Sequence, residues 1–238
     1  MDLLSVELLS RVKAVPDSNA CVVVIDDDPK FLESLGRLLR SAGLHSMLFA
    51  SIADFLKAKL PDQPTCLVLD VRMPGQSGLE FQRDLVASDV RLPIIFITGH
   101  GDIPMTVQAM KGGAIEFLTK PFRDQELLDA INVGLSRDAA RRDNDVDLNA
   151  LRARFQVLTP REHAILLQVA RGRLNKQIAG DMGITETTVK VHRSNMMRKV
   201  KAGSLAELCR MVDKLKLLPE KSGKIGRASC RERVCVPV

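Results

Sequence analysis

The chain has 238 residues, 45% hydrophobic and 27% charged, with a formal net charge of +6, which suits one or two ordinary globular domains and excludes a disordered or fibrous protein. No apolar run is long enough to cross a bilayer, the N-terminal stretch lacks the basic start of a secretory signal, and the five cysteines include no Cys-x-x-Cys pair. A reducing, cytoplasmic setting is therefore expected, with no membrane partner, disulfide framework or zinc site. Residues 1–138 carry 14 Lys/Arg against 19 Asp/Glu, whereas residues 139–220 carry 16 against 9. An acidic front half joined to a basic back half suggests a sensor or enzyme domain coupled to one that binds a polyanion.

Residues 1–19 form an extension with a leucine-rich stretch (Leu3, Leu4, Leu8, Leu9). It fits either a small helix or sequence upstream of a misplaced start. From residue 20 strand and helix alternate. Cys21-Val-Val-Val-Ile25 is a short, continuously apolar run, the pattern of a parallel strand buried on both faces. It leads into Asp26-Asp27-Asp28-Pro29, where Asp28 suits a helix N-cap and Pro29 the first turn. Phe31, Leu35, Leu38 and Leu39 share one face of the helix that follows, which stops at Gly43. A strand is expected over 45–49, then a helix capped by Ser51 through residue 59. The run Cys66-Leu-Val-Leu-Asp70 gives a third strand over 67–70, bounded by Met73-Pro74-Gly75 and Gly78. A helix over 78–88, a strand over 93–98, a helix ending at residue 111, a strand over 114–118 and a helix from about 124 to 141 complete five βα units. Right-handed crossovers make this a doubly wound, five-stranded parallel sheet, a domain over 20–138.

Residues 139–157 are charged and lack an apolar period around Arg141-Arg-Asp-Asn-Asp-Val-Asp-Leu-Asn149. They read as a linker, helical at most at its start. Helices over 159–170, 175–181, 186–200 and 204–216 then make a small all-α domain over 158–218. In the tail, 219–238, the peptide Ile225-Gly-Arg-Ala-Ser-Cys-Arg-Glu-Arg-Val234 reads codon for codon as the translation of a common sequencing adaptor. Residues 224–238 are accordingly treated as foreign to the protein.

Three strand ends converge at the carboxyl edge of such a sheet, where ligands of open α/β folds bind. Asp26 and Asp27 leave the first strand, Asp70 the third and Thr98 the fourth, with Lys120 after the fifth. Packed carboxylates repel, so one takes up a proton or a cation joins them. Hard oxygen ligands suit Mg²⁺, which would orient an incoming phosphoryl group against an Asp oxygen. Lys120 would pair with a phosphoryl oxygen and the Thr98 hydroxyl would donate to another.

At these residues the chain resembles the receiver domain of bacterial two-component response regulators. The matching pieces are Ile25-Asp26-Asp27-Asp28, Leu69-Asp70-Val-Arg-Met-Pro-Gly75 with Gly78, Ile97-Thr98-Gly-His-Gly-Asp102 and Lys120-Pro121-Phe122. The resemblance implies a flavodoxin-like fold of strand order 2-1-3-4-5 and phosphoryl transfer to Asp70 from a sensor histidine kinase. It implies Mg²⁺ held by Asp27, Asp70 and the main-chain carbonyl of Arg72, with Asp26 reached mostly through water, and a cis Lys120-Pro121 bond. Phe117 falls where the family places an aromatic switch, although a strand residue there also fits plain core.

In the basic half, 174–185 and 186–199 form two helices and a tight turn at Gly183, with Thr185 capping the second. Val189, His192, Met196 and Val200 fall on one face and should pack inward, His192 as a core histidine. Thr187, Lys190, Val191, Ser194 and Arg198 fall on the other, where small polar, methyl-bearing and basic side chains suit a DNA major groove. Lys176, Arg193 and Lys199 are near enough to serve phosphates. Leu158-Thr-Pro-Arg-Glu162, Asn175-Lys176 with Ile178-Ala179, and Thr188-Val-Lys-Val-His192 resemble the LuxR-type helix-turn-helix of the NarL/FixJ response-regulator family. The resemblance brings Thr188 into the DNA-facing set and favours the FixJ-like branch, with Met182 and Val200 standing where leucine is usual.

These readings converge on a non-enzymatic, phosphorylation-dependent, sequence-specific transcription regulator. Its implied partners are promoter DNA, a sensor kinase, RNA polymerase and, once phosphorylated, a second copy of itself. A nucleophilic-aspartate phosphatase of the haloacid-dehalogenase type would need an acid two residues after Asp70, where Arg72 stands. A lactone-sensing regulator would usually supply Tyr and Trp, and the chain has neither. The remaining alternative keeps the fold but binds DNA without regard to phosphate.

Overall fold

The computed structural model describes residues 19–218. The leucine-rich N-terminal stretch and the tail 219–238, with its adaptor reading, lie outside the described residues. The chain divides into two units, residues 1–144 and 145–238.

The first unit contains β1 (Cys21–Ile25), α1 (Pro29–Ser41), β2 (His45–Phe49), α2 (Ile52–Lys57), β3 (Thr65–Asp70), α3 (Gly78–Ala87), β4 (Ile94–Thr98), α4 (Ile103–Lys111) and β5 (Glu116–Thr119), and the start of α5 (Asp124–Gln156). The strands form one parallel sheet in the order β2-β1-β3-β4-β5. Side chains alternate across it, so Val23, Ile25, Leu67, Leu69 and Phe96 enter one helix-covered layer and Val22, Val24, Val68, Ile95 and Ile97 the other. That double burial is why the central strands read as unbroken apolar runs.

Local chemistry sets the helix starts. The Asp28 carboxylate accepts from Lys30 N–H at 2.9 Å, and Ser51 Oγ accepts from Asp54 N–H at 3.1 Å. Several boundaries differ from expectation by one or two residues, and two of them have plain backbone reasons. α2 stops at Lys57 because Ala58 is already extended, ahead of Leu60-Pro61, where the chain is steered away from helical geometry. β5 begins at Glu116, since Ala114 N–H returns to Ala109 O at 3.1 Å and closes the preceding helix.

The largest departure is α5, which runs 33 residues to Gln156. Nearly all of the stretch expected as an irregular linker, 139–157, is therefore helical. Leu151 and Phe155 explain the far end, because both are buried in the core of the second unit. That unit otherwise comprises α6 (Pro160–Ala170), α7 (Asn175–Met182), α8 (Glu186–Val200) and α9 (Leu205–Lys214). Gly183 ends α7 at φ 63°, a left-handed turn that glycine adopts at little cost. Among the described residues no helix is long and apolar enough to cross a membrane.

Candidate functional site

The order of strands reverses between β1 and β3, and the acidic residues leave the sheet at that switch point. Ligand oxygens of Asp26, Asp27 and Asp70 lie within 4.8 Å of one another, the only such metal-competent cluster among the described residues. Asp26 and Asp70 are buried while Asp27 is exposed. Lys120 bridges the buried pair, its Nζ donating to Asp26 Oδ2 at 2.5 Å and to Asp70 Oδ2 at 3.0 Å. The ammonium also stands 3.8 Å from the centre of the Phe31 ring, a cation–π contact. Backbone N–H groups hold the outer oxygens: Asp28 donates to Asp26 Oδ1 and Arg72 to Asp70 Oδ1, each at 2.9 Å.

These contacts set the protonation balance. Burial pushes the Asp26 carboxyl above its ordinary range, and the charged hydrogen bond from Lys120 only partly reverses this. Burial likewise works against the Lys120 ammonium, but its bonds to Asp26 and Asp70 outweigh that and raise it. The crevice is thus built around a cation that neutralises two carboxylates, with the third left facing water.

Thr98 is fully buried at the end of β4, its Oγ1 accepting from His100 N–H at 3.3 Å. Phe117 on β5 is half-buried, with its ring centre 6.4 Å from that of Phe96. Gly101 keeps this corner open, because a Cβ there would lie 2.8 Å from Thr119 Cγ2 and 3.0 Å from Phe117 Cε1. Gly78 is needed on the other side, since its Cβ would meet Asp70 O at 2.5 Å. The Lys120-Pro121 bond is cis.

In the second unit, Thr185 caps α8 by accepting from Thr188 N–H at 3.1 Å, and the two hydroxyls lie 2.8 Å apart. Thr187, Lys190, Val191, Ser194 and Arg198 are exposed, as is Lys176 on α7. Val189, Met196 and Val200 are buried, and His192 is half-buried. Arg193 Nη1 donates to Asn175 Oδ1 at 3.1 Å, linking α8 to α7. Lys199 differs from the other basic residues of the set. Its Nζ donates at 2.7 Å to Glu162, a buried carboxylate at the start of α6. That bond and the Thr159 N–H hold the Glu162 carboxyl down at about 2. The sequence carries a signal for Glu162 in the capping box Thr159-x-x-Glu162, but none for its partner 37 residues away.

A doubly wound sheet with an acidic, lysine-bridged crevice at its switch point, followed by a capped helix-turn-helix, defines a response regulator with a DNA-binding output. Residues 22–132 match the response regulator receiver domain, and residues 156–212 match the luxR family of bacterial regulatory proteins. The chain is 50% identical to nodulation protein W of Bradyrhizobium diazoefficiens over 83% of its own length and 87% of the relative's. It is 45% identical to the transcriptional regulatory protein FixJ of Azorhizobium caulinodans over 80% of this chain and 90% of that one. A solved structure of the response regulator StyR superposes with a TM-score of 0.72 at 52% identity, covering 82% of this chain and 99% of that one. The chain belongs to the NarL/FixJ-type two-component response regulators, transcription regulators that join a receiver to a LuxR-type DNA-binding domain.

Proposed function

We propose that this regulator is switched by phosphorylation of Asp70 and that the switch tightens its grip on promoter DNA. The observation that carries the reading is the Asp26–Lys120–Asp70 bridge beside exposed Asp27. The oxygen donors of Asp26, Asp27 and Asp70 lie within 4.8 Å of one another and are of the hard kind that suits Mg²⁺. The main-chain carbonyl of Arg72 would join them, with Asp26 reached mostly through water. When bound, that ion neutralises charge on a transferring phosphoryl group. Asp70 carries out the attack: a carboxylate oxygen forms the new P–O bond while the P–N bond of a kinase phosphohistidine breaks. Lys120 then exchanges its bond to Asp70 for one to a phosphoryl oxygen. Thr98 turns its hydroxyl from His100 towards another, and space opens for Phe117 to move inward.

Phosphorylation brings the side chain close to −2 and adds strong acceptor oxygens. It can bias only states that already exist, and a shift from ~1% to ~99% active needs ~5.5 kcal/mol of differential stabilisation. The active form is a homodimer built on the face around α4, β5 and α5, where Ile103, Val107 and Met110 of α4 make an exposed apolar strip at helical spacing. On two half-sites about one helical turn apart, a dimer gains affinity that a monomer lacks. In this reading α8 enters the major groove with Thr187, Thr188, Lys190, Val191, Ser194 and Arg198. Lys176, Arg193 and Lys199 line the phosphate side, and the bound dimer meets RNA polymerase in the cytoplasm.

The test is operator binding with and without acetyl phosphate and Mg²⁺. Wild type should bind more tightly with the donor, and Asp70→Asn should show no gain. Equal affinity under both conditions in wild type would leave a DNA-binding protein indifferent to phosphate.

A further inference from the structure

One buried charge in the first unit takes no part in the acidic crevice. Asp138 on α5 is fully buried. Its Oδ2 accepts from the Thr65 backbone N–H at 3.0 Å and from Arg142 Nε at 2.7 Å. Its Oδ1 accepts from Arg141 Nε at 3.0 Å and Nη2 at 2.6 Å. Arg142 reaches on to Asp62, donating from Nη1 at 2.7 Å. Burial alone would raise the Asp138 carboxyl, but the bonds from Arg142, Arg141 and Thr65 outweigh it and hold it low. Thr65 is the first residue of β3 and Asp70 the last, so this clasp grips the far end of the strand that carries the crevice aspartate.

The clasp also sits where α5 has least intrinsic reason to continue. Asp143, Asn144, Asp145, Asp147 and Asn149 all have low helix propensity. The helix nevertheless runs on to Gln156. Asp138 meets Arg141 at i+3 and Arg142 at i+4, with the acid N-terminal to the base, the orientation that supports a helix. A solvent-exposed pair of this kind contributes little. Here the acceptor is fixed against the sheet, so both guanidinium groups are fixed with it.

We propose that Asp138 is the positioning residue of the connecting helix. By pinning Arg141 and Arg142 to the base of β3 it keeps residues 139–150 helical, and that helical stretch carries the state of the first unit towards the second. The coupling half of this inference rests on the function proposed above, whereas the structural half does not.

The experiment compares hydrogen–deuterium exchange, read by mass spectrometry on the full chain, in wild type, Asp138→Asn and Arg142→Gln. Asp138→Asn preserves shape and an acceptor for Thr65 but gives up the charge that holds the arginines. Residues 139–150 should exchange at least roughly tenfold faster in it, with 124–137 unchanged. Acetyl phosphate should label Asp70 as in wild type, while the donor-induced gain in operator affinity falls below about a third of the wild-type gain. Arg142→Gln, which leaves Arg141 on Asp138, should give a smaller rise over the same residues, and it decides the matter if Asp138→Asn does not fold. Wild-type protection of 139–150 in the folded variants overturns the proposal, as does an undiminished gain beside a fast-exchanging segment. A wild type with no donor-induced gain overturns the coupling and the function above together, and the exchange data still decide whether Asp138 holds the helix.

Discussion

The acidic crevice and the exposed side of α8 are built on opposite principles. In the crevice, Asp26, Asp70 and Thr98 are buried and nearly every polar atom already has a partner, so its chemistry requires partners to be exchanged. On α8, Thr187, Lys190, Val191, Ser194 and Arg198 are exposed, and the helix beneath them is fixed by the Thr185 cap, the buried Val189, Met196 and Val200, and the Arg193–Asn175 link. A site that must hold a reactive group is preorganised against water. A surface that must read many base steps keeps its side chains available and leaves rigidity to the helix beneath. Failure should therefore be abrupt in the first region and graded in the second.

The sharpest way to break the second region is through its core. Phe155 is buried with Leu151 in the core that supports α6 and α8. Phe155→Ala should destabilise the C-terminal unit by about 3–5 kcal/mol, read as a loss of denaturant midpoint. A fragment beginning at residue 158 should be similarly weakened beside one beginning at 145. Next comes Glu162→Gln, which removes the carboxylate that holds Lys199. Because that carboxyl lies at about 2 in the fold against an ordinary 4.5, the pair adds stability above pH 4.5 and loses it as pH falls towards 2. The variant should melt several degrees below wild type at pH 7, and the gap should close as the pH is lowered through that window. A gap of constant size would assign the effect to packing.

Smaller effects separate reading from gripping. Lys190→Ala should cost about 1–3 kcal/mol of discrimination between operator and random DNA. Lys176→Ala should weaken binding to both about equally and reduce the salt slope by about 1. Unchanged sequence preference in Lys190→Ala would mean that α8 docks on another face.

The same contrast governs what the sequence disclosed. The crevice was legible because strand ends are unambiguous: an apolar run stopping at Asp70, another at Asp26 and a third at Thr98 must meet at one edge of a parallel sheet. The exposed and buried faces of α8 were legible from helical periodicity. Residues 139–156 were not, because their helix depends on contacts that no local pattern encodes. Asp138 is held by a backbone N–H 73 residues away, and Leu151 and Phe155 by a core assembled later in the chain. Lys199 was legible only in part, for a related reason. Its charge and its place on α8 suggested a phosphate, and nothing local announced the ion pair with Glu162 that the structure adds.

The central claim is that Asp70 accepts a phosphoryl group within this crevice. The most direct measurement is peptide mass spectrometry of the full chain after incubation with acetyl phosphate and Mg²⁺, with hydroxylamine used to cleave acyl phosphates. The account predicts a labile phosphoryl adduct on the peptide containing Asp70, absent from Asp70→Asn. An unlabelled Asp70 in folded protein, or an adduct confined to another residue, would contradict it.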